Sequence, residues 1–203
     1  MRIIKIVLLS LTCFIFVVFA LFACDDYFKN GDNPKSLILF QYEYTNWAWG
    51  YSHSGWFIDN QGNVKGYNMP DDWKWPDKSG YIAFDSLIFN YHQTDTLYFQ
   101  IDILSLAEKT NLIKGAINGE LSDKVYNGAD IGKMALYCYY WDRKKNKYKR
   151  QLLAVTGDCG QINTTSNAIQ LTNYLIQIGE LNKLFFWFPE NSSICQSFSG
   201  HRD

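Results

Sequence analysis

Neither sign of charge is in excess in this sequence, where 19 Lys and Arg stand against 20 Asp and Glu. Binding to phosphate backbones needs a basic surplus, so this balance argues against nucleic acid as a partner. The chain holds no Gly-x-Ser-x-Gly turn, no Walker loop, no His-Glu-x-x-His and no Cys-x-x-Cys. These absences count against the large enzyme classes that carry those signatures, and leave open only an enzyme with dispersed active-site residues. Histidine occurs three times, which leaves little material for a metal centre or a proton shuttle. No self-similar period of about 20 to 50 residues occurs, so a solenoid or propeller is not expected. Low charge with 17% aromatic residues describes a folded body and not a disordered stalk.

Long apolar runs are confined to the start. Residues 1–23, MRIIKIVLLSLTCFIFVVFALFA, place Arg2 and Lys5 before an apolar stretch from Ile6 to Phe22. A basic segment, an apolar segment and a small residue before a cut site make an export signal. The run is slightly short of the roughly 20 residues that span a bilayer, which favours cleavage. Leu21-Phe22-Ala23-Cys24 resembles the lipobox of bacterial lipoproteins, although Phe22 stands where a small or β-branched residue is usual. The resemblance implies removal of residues 1–23, acylation of Cys24 (a palmitate-type modification) and a membrane partner reached through the acyl chains. The alternatives are an ordinary signal cut after Ala20 and an uncleaved anchor. Asp25 and Asp26 directly after the cysteine resemble the surface-export signals of Bacteroidota lipoproteins, which implies the bacterial cell envelope, at the outer membrane. In an enterobacterial setting Asp25 would instead resemble an inner-membrane retention signal.

Without Arg2 and Lys5 the mature chain keeps 17 basic and 20 acidic residues, a net charge of about −3. Asp85-Ser86-Leu87 and Asp95-Thr96-Leu97 fit the sequon that resembles the O-glycosylation site of the same phylum, with Ser86 and Thr96 as acceptors. The alternative is a plain turn or strand-end Asp. Cys138, Cys159 and Cys195 remain in the mature chain. Cys159 and Cys195 lie in polar, loop-like surroundings and are the pair to expect if a disulfide forms; three buried thiols is the other possibility.

Residues 24–35 are polar and read as a tether, and residues 36–203 as a single domain. LILFQYEY predicts a strand with Ile38, Phe40, Tyr42 and Tyr44 on one face and Leu39, Gln41 and Glu43 on the other. Asn60-Gln61-Gly62-Asn63 predicts a hairpin turn between residues 56–59 and 64–67. The Pro- and Asp-rich 69–77 segment is expected to be a structured loop. Residues 81–90 and 96–103 read as β-leaning segments. Ser105 and Glu108 have capping-box spacing and predict a helix over 105–118 stopped at Gly119. Residues 134–141 and 148–155 predict a second hairpin, with a solvated basic tip running from Arg143 to Arg150. Thr164-Thr165-Ser166 predicts the cap of another helix, ended by Gly179. Residues 184–188 read as a last strand. The fold class is α+β, an antiparallel sheet built from hairpins with about two helices packed on one face.

Candidate chemistry is sparse. Cys159, flanked by Gly157 and Gly160, is a nucleophile only if His53 or His92 reaches it. Both histidines with Asp59, Asp85 and Asp95 lack metal-ligand spacing, so no metal and no cofactor is expected. The tryptophans between 46 and 77 are the feature that points to a ligand, since sugars stack their C–H faces on flat rings. If the chain stays extended, Trp47, Trp49, Tyr51 and His53 point one way. Burial is the common fate of such rings, so these four are expected inside. Trp73 and Trp75, with Asp71 and Asp72, are then the expected binding group. The function expected is a lipid-anchored envelope or surface module binding a protein or glycan; the alternatives are a hydrolase-like enzyme and an inhibitor or immunity lipoprotein.

Overall fold

The computed structural model describes residues 37–184. The expected signal, Cys24, the tether, the strand at 184–188 and Cys195 lie outside these residues, apart from Leu184. The strands are β1 (Ile38–Asn46), β2 (Ser52–Asp59), β3 (Asn63–Asn68), β4 (Tyr81–Ala83), β5 (Thr96–Gln100), β6 (Val125–Tyr126), β7 (Lys133–Asp142), β8 (Lys147–Gly157) and β9 (Cys159–Ile162). The helices are α1 (Phe84–His92), α2 (Ile103–Thr110), α3 (Ile113–Ala116) and α4 (Ser166–Leu181). One antiparallel sheet runs in the order β5-β3-β2-β1-β7-β8-β9-β6, with β4 paired to the start of β8. The α+β class read from the sequence is the class observed.

β1 lies in the middle and is buried on both faces, which its sequence shows only on one. Phe40 and Tyr42 meet Trp56, Ile58, Leu136 and Leu153 in a layer closed by Leu106, Ile113 and Ala116 of α2 and α3 and by Leu171 and Leu175 of α4. The opposite layer gathers Ile38, Phe57, Tyr67, Tyr139 and Tyr148 under Leu87 and Tyr91 of α1. The expected placing of Ile38 with Phe40 is corrected by a bulge. Ile38 pairs with Asp59 and Phe40 with Ile58, so Leu39 is an extra residue and packs with Phe40. A second bulge in β8 adds Leu153 to the same layer.

Residues 84–90 are helical and not extended. Leu87 and Tyr91 are four apart and both buried, which is helix spacing hidden under a β-rich composition. The helix expected over 105–118 is two shorter ones. Asp102, not Ser105, caps α2, its side chain accepting the Ser105 N–H at 2.9 Å. α4 keeps its expected start, capped by Thr165, but runs past Gly179 to Leu181. Asp59 ties the β2–β3 turn to α1. Its carboxylate accepts the N–H groups of Gln61 and Asn63, each at 2.9 Å, and the Tyr91 hydroxyl at 2.6 Å.

Candidate aromatic and polar site

The chain leaves β1 at Asn46 and re-enters the sheet at Ser52. Between them the Asn46 side chain accepts the Ala48 N–H at 2.8 Å, and Gly50 takes a φ of 107°, so the segment turns and side-chain alternation stops. The expected burial of this group is therefore corrected for its first members. Trp47 is 73% exposed, Trp49 is 86% exposed and Tyr51 is at the margin of exposure, while only His53 is fully buried.

The rings nevertheless form a continuous row. Trp47 packs on Tyr51 with centroids 4.3 Å apart, Tyr51 approaches His53 at 6.1 Å, and Trp75 stacks on His53 at 5.1 Å. Trp75 is 48% exposed. Trp73 is half-buried and works as a wedge, lying parallel to Phe57 at 5.8 Å and against Tyr67 at 4.6 Å and His53 at 4.7 Å. Of the expected binding group, Trp75, Asp71 and Asp72 are exposed, while Trp73 packs against the core and meets Trp75 edge-on, with centroids 6.4 Å apart.

α1 positions the Trp73–Trp75 segment. Buried Asn90 receives the Lys74 N–H at 2.9 Å and donates to the Lys74 carbonyl at 2.7 Å. The Met69 N–H adds a 2.7 Å bond to the His53 carbonyl. Loop and strand are thus clamped on both sides of the ring row.

Beneath the row lies a buried polar network that sequence reasoning missed. Lys133, Thr45 and His53 are cross-strand neighbours on β7, β1 and β2, and Ala135, Glu43 and Gly55 form the next row. Glu43 is 1% exposed, and its Oε2 lies 2.9 Å from Arg150 Nη1 and 3.8 Å from His53 Nε2. Its Oε1 lies 3.4 Å from the Tyr137 hydroxyl and 4.0 Å from Lys133 Nζ. Gln41 donates to the Tyr67 hydroxyl at 2.8 Å and accepts from the Tyr139 hydroxyl at 2.6 Å. Burial pushes the Glu43 carboxyl up, but Arg150, with His53 and Lys133, draws it down to about 2. Both nitrogens of His53 are buried without a hydrogen-bond partner. Gly55 is required here because a Cβ would collide with the Tyr42 carbonyl oxygen and stand 2.6 Å from the Tyr67 hydroxyl.

Arg150 therefore corrects the reading of 143–150 as a solvated basic tip, since it turns inward from β8. No sequence feature distinguishes it from its basic neighbours except its distance from the turn.

The remaining candidates do not converge. Cys159 on β9 and His53 on β2 are separated by β1, β7 and β8, four strand spacings or about 19 Å across the sheet. His92 is exposed at the end of α1. No group of three or more His, Cys, Asp or Glu side chains able to hold a metal occurs among the described residues. Thr96 is exposed at the start of edge strand β5, while Ser86 is half-buried on α1. No helix among the described residues is long and apolar enough to cross a membrane. No protein-family model, curated protein or solved structure matches the chain.

Proposed function

We propose that the chain is a lipid-anchored envelope protein, held by acyl chains on Cys24, whose domain binds a glycan on the Trp47, Trp49, Tyr51 and Trp75 surface. The observation that carries this reading is the exposure of Trp47 and Trp75 on a ring row backed by a buried polar network, with Trp49 exposed in the turn beside it. Monomeric proteins rarely leave several large rings together in solvent unless something covers them. Flat rings offer stacking surfaces to sugar C–H faces, and Asp71, Asp72 and Lys133 stand as polar groups for hydroxyls. Each buried methylene of an acyl chain contributes about 0.8 kcal/mol, so two or three chains hold the protein on the membrane without an apolar surface of its own.

Binding of the full chain to an array of neutral and acidic oligosaccharides tests the reading. Saturable binding that Trp49→Ala and Trp75→Ala abolish is expected. Absence of binding, or variants that bind like the parent, overturns it. Intact mass of membrane-extracted protein tests the anchor separately, with an acylated Cys24 at the N-terminus as the expected result.

A second reading rests on Trp49, the most exposed large ring of the described residues. A single protruding tryptophan also suits insertion into a protein cleft, as in an inhibitor or immunity lipoprotein. A negative array together with a stoichiometric protein partner lost in Trp49→Ala selects this reading. The enzyme alternative in its His53–Cys159 form is removed by their separation across the sheet.

A further inference from the structure

The aromatic surface and the β7–β8 hairpin tip occupy opposite ends of the strands. Lys133 at one end of β7 is level with Thr45, beside the aromatic turn, and Asp142 at the other end begins the tip. Nine residue steps separate them, about 30 Å along the strand. The polypeptide enters β1 beside this tip, where the Leu37 N–H bonds the Tyr148 hydroxyl at 2.9 Å. Thirteen residues, 24–36, join Cys24 to that point. The tip and the point where the chain enters β1 therefore share one end of the strands.

The tip is basic and braced. Arg143, Lys144, Lys145 and Lys147 are exposed. The Asp142 carboxylate accepts the N–H groups of Lys144 at 3.0 Å and Lys145 at 3.2 Å, closing the turn. Tyr81 on β4 lies under two ammonium groups, Lys145 at 3.8 Å and Lys149 at 4.9 Å from its ring. Among the described residues only Lys147 of these basic groups is within ion-pair distance of a carboxylate, Asp77 at 3.9 Å. The far end carries Asp130 and Asp158 near the ends of β7 and β8 and exposed Asp71 and Asp72 in the loop beside the ring row, against Lys74 and Lys133. Charge therefore differs between the two ends of the strands, basic beside the entry to β1 and, even with Lys74 and Lys133, net acidic beside the aromatic turn.

Resting on the lipid-anchor reading, we infer that the β7–β8 tip is a docking surface for an anionic lipid bilayer, which orients the domain with its aromatic end outward. Thirteen residues reach at most about 45 Å even when extended, so the tether holds the tip at high effective concentration over the headgroups. Basic residues near an anionic leaflet are attracted individually and additively, so the tip needs no groove and no intrinsic affinity beyond its charge. The acidic end is repelled, which makes the two orientations unequal.

The test uses the acylated full chain in vesicles of phosphatidylcholine with and without phosphatidylglycerol. A membrane-impermeant amine reagent labels it, and peptide mapping reads each lysine. Labelling of Lys144, Lys145 and Lys147 is expected to fall about threefold or more when the anionic lipid is present, with Lys124 unchanged as the far-end control. Salt at about 1 M, where the screening length falls to about 3 Å, is expected to restore it. A variant with Arg143→Glu, Lys144→Glu and Lys145→Glu is expected to lose the lipid dependence, read at Lys147. Equal labelling in both lipids, or protection of Lys124 in place of the tip, overturns the inference. Failure of the anchor reading is distinguished by mass, since the reconstituted protein then lacks acyl chains altogether.

Discussion

Arg150 reaches across 107 residues of sequence to place Nη1 2.9 Å from Glu43 Oε2, joining β8 to β1 over the intervening β7. Glu43 is buried and Arg150 largely so, and such a pair contributes little relative to an apolar isostere yet is costly to break. Glu43→Ala is expected to lower stability by about 3–5 kcal/mol because it strands the guanidinium. Glu43→Gln combined with Arg150→Met is expected to cost less than either single change. Urea midpoints of these variants check this, and a double variant worse than both singles refutes it.

The same carboxylate sets a pH response. Its folded value of about 2 lies below the ordinary 4.5, so it contributes stability above pH 4.5 that is lost as pH falls toward 2. The urea midpoint is expected to drop through that window in the parent. When Glu43→Gln and Arg150→Met are combined, this component of the slope disappears, while that of other carboxylates remains.

Trp47 and Trp49 differ from Trp56 in what they hold. Trp56 is buried against Tyr42, with centroids 5.7 Å apart. Trp56→Ala is expected to cost about 3–5 kcal/mol. Trp49→Ala is expected to change stability by less than about 0.5 kcal/mol. Thermal unfolding of both distinguishes a surface role from a packing role, and an equal loss in the two contradicts the exposed placement.

Asn90 holds the Trp75 segment in place from beneath, through the Lys74 backbone. Asn90→Ala removes both bonds to Lys74 and is expected to cost about 1–3 kcal/mol and to loosen the 69–77 loop. Faster amide exchange at Lys74 is the measurement, and unchanged exchange counts against the clamp.

Cys138 lies in the core, where burial pushes its thiol up to about 12. Alkylation of Cys138 at pH 8 is expected only on unfolding, so its rate tracks global opening under urea. Reaction in the native protein at the rate of a free thiol refutes this.

The hairpins and α4 are legible in the sequence because each carries its own local chemistry. Asn and Gly mark the β2–β3 turn, and Thr165 marks the start of α4. The class follows from their order. Inference fails where it carries a pattern past a break. Parity from Asn46 to His53 assumes an extended chain, although Asn46 and Gly50 have turn chemistry. The β-rich composition of 84–92 masks the spacing of Leu87 and Tyr91, which belongs to a helix. Ser105 has the spacing of a cap, but Asp102, three residues earlier, is the residue that closes α2. The Glu43 network has no such signal: a carboxylate on a strand and an arginine near a basic turn look the same whether solvated or joined.

The Leu39 bulge also governs how β1 tolerates change in length. Because Leu39 has no partner of its own on β2, a chain shortened by that residue keeps Ile38 opposite Asp59 and Phe40 opposite Ile58. The deletion returns β1 to strict alternation without exchanging its two faces. Within β1 but outside the Leu39–Phe40 bulge, the same loss would send one flank of the strand to the wrong layer. The middle of the sheet thus contains one site where evolution or design can remove a residue at the cost of a single leucine.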